Sequence, residues 1–209
     1  MKKYFLTLII SLSFILSFSS SLLAINEYEE EEDYYYNNIY AGYGVGSGPQ
    51  IITGILDTLA FAFTTSFSGS KSIETRDVIG PIFLGADYFP VDYVSVGGLF
   101  VYDAFTRRWT YSDGGYADWN WSFISLMGRI NLQWGWDYLK FYHSIMLGGS
   151  RVGIDLQQSD GQHEHNSSEY TWAGHVVLLG IKVGKEFKVF ADFGVGYLGM
   201  INFGASFSF

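Results

Sequence analysis

The chain contains no cysteine, which excludes disulfide scaffolds, thiolate metal sites and cysteine nucleophiles together. Proline is scarce, 3 in 209 residues, so regular backbone is seldom interrupted. Charged residues make up 16% of the chain, against about a quarter in a soluble domain. Long hydrophobic runs are missing too. Beyond the first two dozen residues nothing approaches the roughly 20 consecutive apolar residues of a membrane helix. Positive charge is in the minority, 12 Lys and Arg against 21 Asp and Glu, which argues against nucleic acid as a partner. What remains in abundance is glycine (25) and aromatics (18 Phe, 16 Tyr, 6 Trp). That mixture fits an all-β chain with glycine on a crowded face.

The one apolar run lies at the start. Lys2 and Lys3 precede an uncharged stretch from Tyr4 to Ala24, with a Leu/Ile/Phe/Ser core from Phe5 to Phe18 and small residues at Ser19, Ser20, Ser21 and Ala24. This is the layout of a secretory signal peptide over residues 1–24, cleaved after Ala24. Its removal takes away two lysines and no acids, so the exported chain is more acidic still. Residues 25–38 follow, with Glu29 to Glu32 and Asp33 beside Tyr34, Tyr35 and Tyr36. Like charges in a block repel, so this Tyr-rich acidic segment is expected to be solvated, disordered and periplasmic. An acid run alone does not make a calcium site, which needs a loop that wraps the ion.

From Ile39 onward the apolar pattern has period two, the mark of strands with one greasy face. Strand one runs from Ile39 to Gly46, with apolar odd positions. Strand two covers Ile82 to Tyr88 and strand three Val94 to Tyr102, joined by a turn at Phe89 to Asp92. Strand four spans about Trp119 to Gln133, strand five Tyr138 to Val152, strand six Tyr170 to Gly184, strand seven Phe187 to Tyr197 and strand eight Ile201 to Phe209. Long polar connections are expected at Arg107–Asp118 and Asp155–Glu169, alternating with short turns. An even strand number with short turns at one end and longer loops at the other is the pattern of an outer-membrane barrel. Within the connection from strand one to strand two, Ile51, Ile52, Ile55, Leu56, Leu59, Ala60 and Phe63 recur at helical spacing, with Thr53, Asp57, Thr58 and Thr64 opposite. The spacing predicts an amphipathic helix in the first extracellular loop, on the barrel mouth or on the outer leaflet. The rival is an extra hairpin, which would give ten strands.

Strand eight sets the faces. Ile201, Phe203, Ala205, Phe207 and Phe209 share one side, and Met200, Asn202, Gly204, Ser206 and Ser208 the other. An aromatic exterior with a small and polar interior suits lipid outside and inverts a lipocalin-type barrel. By the same alternation Val189, Ala191, Phe193, Val195 and Tyr197 face out on strand seven, with Phe190 an apolar exception inside. On strand six Val177, Leu179, Ile181 and Val183 read as outward, although Val176 and Leu178 are apolar as well. Asp87, Arg129 and Asp192 fall inside, where they are expected to form a buried charge cluster, since a basic residue facing mid-bilayer lipid costs about 2–4 kcal/mol. Lys140, Lys182 and Lys188 are expected nearer the periplasmic rim, reaching water.

The C-terminal octapeptide Asn202-Phe203-Gly204-Ala205-Ser206-Phe207-Ser208-Phe209 resembles the C-terminal signal of outer-membrane barrels: a polar residue, glycine two later, then aromatics at the third-last and last positions. Residues 39–209 as a whole resemble the small outer membrane protein β-barrel domain family, of the OmpA/OmpX type. Gly85 to Phe89, Val94 to Gly98 and Ser125 to Arg129 carry that likeness inside the chain. The resemblance implies an all-β, closed, antiparallel up-and-down transmembrane barrel of eight strands in the cell outer membrane. It also implies that Asn202, Gly204, Phe207 and Phe209 are read by the barrel-assembly machinery, and it carries no common enzyme activity.

Chemistry-bearing constellations are few. His163-Glu164-His165 with Asp160 is the only metal-like spacing, and it lacks a clear fourth ligand, so no metal and no cofactor are expected. Asn166-Ser167-Ser168 fits a glycosylation sequon that a bacterial envelope leaves silent. Barrel enzymes that deacylate lipid A place His and Ser on one face. Adjacent His143 and Ser144 would point to opposite faces of a strand and could not share a proton. The expected function is therefore a non-enzymatic outer-membrane barrel, in contact with outer-membrane lipid, whose loops face an extracellular ligand or serve envelope integrity. A narrow pore for small solutes is the alternative, and a lipid-modifying enzyme the second.

Overall fold

The computed structural model describes residues 37–64, 70–159 and 165–209, with the side chains of 59–71 and 165 left aside. The expected signal peptide, nearly all of the acidic segment and the residues Asp160, His163 and Glu164 lie outside the described residues. Eight strands follow one another: β1 (Asn37–Val45), β2 (Ser70–Val91), β3 (Val94–Tyr111), β4 (Tyr116–Trp136), β5 (Leu139–Gln158), β6 (His165–Gly184), β7 (Phe187–Gly196) and β8 (Ile201–Ser208). Each pairs antiparallel with the next, and β1 pairs with β8, so the sheet closes into a barrel. Where the ring is complete, closure leaves no exposed strand edge, whereas residues 70–81 of β2 and 165–174 of β6 pair on one side only. Helix α1 (Gly48–Thr64) follows β1 directly. The expected helix is therefore present, and the described residues hold eight strands rather than ten.

One end of the barrel has two-residue turns, at Asp92-Tyr93, Asp137-Tyr138 and Lys185-Glu186, and holds both ends of the sheet. There the Asn37 amide donates to the Phe209 carbonyl at 3.1 Å, so β1 begins two residues before the expected start. The other end is uneven. β1, β7 and β8 have 9, 10 and 8 residues, which is what a strand needs to cross a bilayer, about 9–11. β2 to β6 have 18–22 residues and continue about as far again beyond it. The segments expected as loops, Arg107–Asp118 and Asp155–Glu169, are mostly these extensions. The β3–β4 register runs unbroken to Thr110↔Tyr116, and β5–β6 reaches Leu156↔His165.

The chemistry of the two faces exchanges along the tall strands. Low on β4, Leu126 and Ile130 face out at 70% and 58% exposure, while Ser125, Arg129 and Asn131 are buried inside. Higher on the same strand, Asp118, Asn120 and Ser122 occupy the outer face. Trp121 and Phe123 stack on Phe105 of β3 on the inner face, with ring centroids 5.9–6.4 Å apart. β5 behaves alike: Ile145 and Leu147 face out below, and Arg151 and Asp155 stand on that face above. An apolar exterior suits lipid, and an apolar interior suits water. The exchange between Ile124 and Ser122 therefore marks where the wall leaves a greasy surround.

Strand six contains a phase change in the outward-facing pattern. The pairings Tyr142↔Gly180 and Ser144↔Val177 on one side, and Val177↔Gly194 and Leu179↔Phe193 on the other, leave Leu178 as an extra residue in β6. Such a bulge resets the alternation. Above it Val176 faces out and Val177 is buried at 1% exposure. Below it Leu179, Ile181 and Val183 face out. The expectation that Val177 faces out is thus overturned by one inserted residue. Two further corrections sit at the β7–β8 connection. Tyr197 packs against the hydrophobic cluster buried inside the barrel, which includes Leu99, Val101, Met127 and Leu198, and meets Phe123 edge-on at 6.3 Å, because the chain has left β7 at Gly196, whose φ is +136°. Met200 is 43% exposed, lying before β8 begins.

Candidate functional site

Two polar groups occupy the barrel axis. The lower one is built from β1, β2, β4, β5, β6, β7 and β8. Asp87 of β2 and Arg129 of β4 form an ion pair of 3.3 Å with side-chain exposures of 0% and 5%. The Arg129 guanidinium also donates to Ser144 Oγ at 3.0 Å and to Asn131 Oδ1 at 3.3 Å, and lies over the Tyr40 ring at 4.7 Å. Asp192 of β7 is held separately. Tyr142 Oη donates to one carboxylate oxygen at 2.6 Å and Asn202 Nδ2 to the other at 2.7 Å. Tyr142 lies between the two acids, 5.7 Å from the guanidinium carbon of Arg129.

Lys182 completes the group, which corrects its expected position at the rim. It is 4% exposed, and its ammonium stands 4.7 Å from the Tyr142 ring. Two acids and two bases thus share the interior, bridged by tyrosines, and buried ions persist when compensated in this way. Lys188 is half-buried and donates to Ser208 Oγ at 2.7 Å. Phe190 faces inward against Phe83 with centroids 6.2 Å apart. The inward glycines supply the room. A Cβ on Gly180 would lie 2.2 Å from the Tyr142 ring, and one on Gly97 would lie 2.3 Å from Asp87 Oδ1. Space left among Tyr40, Arg129, Tyr142, Lys182 and Asp192 is about 10 Å³, at the limit for one water molecule.

The upper group ties α1 to the inner face of β3. Ser47 is the helix N-cap: its carbonyl accepts from Ile51 N at 3.0 Å and its hydroxyl from Gln50 N at 3.3 Å. The same hydroxyl donates to Asp103 Oδ2, and Gln50 Nε2 donates to Asp103 Oδ1 at 2.8 Å. One turn on, Arg107 donates to the Gln50 carbonyl at 2.8 Å and to Thr75, pairs with Asp57 at 3.5 Å, and lies over the Phe105 ring at 5.5 Å. Spacing and composition pointed to the helix. Nothing local to α1 in the sequence marked Asp103 and Arg107, some fifty residues away, as its anchors. Their inward alternation on β3 was the available signal.

The remaining candidates fall apart in space. Ser144 is buried inside with Arg129, whereas His143 points the other way, its ring 4.9 Å from that of Trp134. No group of three metal-capable side chains occurs among the described residues. In the C-terminal octapeptide, Asn202 is fully buried on Asp192, while Phe207 and Phe209 stack outside with centroids 6.0 Å apart. Gly204 faces the Phe190 ring, 2.6 Å from where a Cβ would stand.

No family model matches the sequence, and no curated protein matches it. Among solved structures, the chain is similar to that of Ail, the attachment invasion locus protein of Yersinia pestis, in complex with the heparin analogue sucrose octasulfate. The identity is 14%, the alignment covers 83% of this chain and 97% of that chain, and the TM-score is 0.40. The strand order and closure of the chain itself establish the architecture: an eight-stranded, antiparallel, up-and-down β-barrel.

Proposed function

We propose that the protein is an integral outer-membrane barrel without conductance or enzyme activity, which anchors in lipid and holds a five-stranded wall above the surface to meet extracellular partners. The observation that carries this reading is the exchange of faces on β3 to β5. The lower barrel is apolar outside and keeps its charged and polar side chains inside, among apolar ones such as Leu99 and Met127, as lipid requires, and the upper wall turns polar residues outward and aromatics inward, as water requires. Residues 1–24 serve as the export signal, and Asn202, Gly204, Phe207 and Phe209 as the assembly signal. The cluster around Asp87, Arg129, Lys182 and Asp192 serves as a plug, since an eight-stranded barrel is filled by its own side chains.

The purified, refolded protein in a planar bilayer tests the plug. The expected result is no discrete conductance step. Regular steps would replace this reading by a pore for small solutes. Unchanged lipid A on overexpression is expected as well. Altered lipid A that depends on His143, lost in His143→Ala, would establish a lipid-modifying enzyme instead.

A further inference from the structure

Helix α1 is amphipathic in the unusual sense: its polar side is buried and its apolar side is bare. Thr53 is 9% exposed, and Gln50, Gly54 and Asp57 face Arg107. On the opposite side Ile51, Ile52, Ile55 and Leu56 are 39%, 59%, 56% and 59% exposed. A helix lying on a water-soluble surface shows the reverse arrangement. Four bare aliphatic side chains on adjacent turns form a patch that water disfavours.

Three observations say what covers it. The helix begins three residues after β1 ends, on the side where the wall is low because β1, β7 and β8 stop after one membrane crossing. Its height is fixed by Asp103, which follows Tyr102. Tyr102 pairs with Ile124, and the exchange of faces begins immediately above that residue. Its bare side is also continuous with the apolar exterior of the barrel. A Cβ on Gly46 would lie 3.9 Å from Met200 and 4.0 Å from Ile51, and Val45, Met200 and Ile201 around it are all exposed.

We propose that α1 is an interfacial helix whose Ile51, Ile52, Ile55 and Leu56 face inserts into the acyl chains of the outer leaflet while its polar face seals the barrel mouth through Asp103 and Arg107. Helices of this kind lie in the membrane plane with the apolar face buried about 5–10 Å below the headgroups. The lipid-embedded surface of the molecule therefore extends beyond the strands, and the helix fills the notch left by the short β7–β8–β1 wall. The inference rests on the barrel being embedded in lipid, and its test carries a control for that.

Because the chain has no native cysteine, single replacements can be labelled directly. Ile52→Cys, Ile55→Cys, Leu126→Cys and Asp113→Cys, each carrying an environment-sensitive fluorophore, are refolded into phosphatidylcholine vesicles. Doxyl-lipid and aqueous iodide quenching are then compared. The labels at 52 and 55 are expected to have blue-shifted emission and to lose it to doxyl lipid like the label at 126, while iodide quenches only the label at 113. Labels at 52 and 55 quenched by iodide, with 126 still quenched by lipid, overturn the inference and leave the barrel reading standing. Labels at 52 and 55 reached by neither quencher also overturn it, in favour of a second copy of the chain on the helix. A label at 126 that lipid does not quench overturns the barrel reading and this inference with it.

Discussion

Arg129 is the side chain on which most of the interior depends, because it faces Asp87, Ser144, Asn131 and Tyr40 at once. Replacing it with alanine leaves the Asp87 carboxylate, whose side chain has 0% exposure, without its counter-charge. Removing one partner of a buried pair costs about 3–5 kcal/mol, whereas removing both is far cheaper. Arg129→Ala is expected to lower the urea midpoint of unfolding in vesicles strongly, and Arg129→Met combined with Asp87→Asn to recover much of the loss. Equal loss in the single and double variants would show that packing rather than charge compensation dominates. Gly180 makes a separate prediction. A Cβ there would overlap the Tyr142 ring, so Gly180→Ala forces Tyr142 off Asp192, at about 1–3 kcal/mol. The same unfolding assay measures it, and an unchanged midpoint would mean that the Tyr142 ring moves freely.

The tall strands argue at the scale of elements. If the exchange of faces on β4 marks the lipid boundary, an arginine on the outer face is costly below it and tolerated above. Leu126→Arg is expected to destabilise by about 2–4 kcal/mol, and Asn120→Arg on the same face by about 0–1 kcal/mol. Comparable costs at both positions, read from urea titrations in vesicles, would remove the boundary from where the face chemistry puts it. Helix α1 supplies another test. Arg107→Met removes the donor to the Gln50 carbonyl and Thr75 and the ion partner of Asp57. Limited proteolysis should then cut within the β1–β2 connection faster than in the parent, with the barrel core intact.

These elements also show what a sequence reader can and cannot see. The lower strands were legible because one apolar face against lipid gives clean alternation, and α1 was legible because its apolar residues recur every three or four positions. The tops of β3, β5 and β6 read as loops because their outer face is polar and, on β3, the inner face is interrupted by Arg107. On β5 the alternation of Val152, Ile154 and Leu156 was the signal that extended the strand. The Leu178 bulge was invisible for a different reason. Val176 to Leu179 are all aliphatic, so no polar residue records the change of phase. Lys182 read as a rim residue because its distance from the Lys185-Glu186 turn is short, whereas the ring of Tyr142 on the neighbouring strand holds it inside.

At the scale of the whole molecule, one closed sheet carries two kinds of outer face in series, apolar below and polar above. The two-residue turns and both sheet ends lie on one side, the extended wall and α1 on the other, so the molecule has a defined orientation along its axis. Its stability comes from a hydrogen-bonded ring that must open cooperatively, and detergent at room temperature should not open it. The most direct test is the electrophoretic migration of membrane-extracted protein with and without boiling. The unboiled sample is expected to run ahead of the boiled one, as a compact barrel that only heat unfolds. A single band whose position is indifferent to boiling, from protein released without detergent, would contradict a closed barrel embedded in lipid.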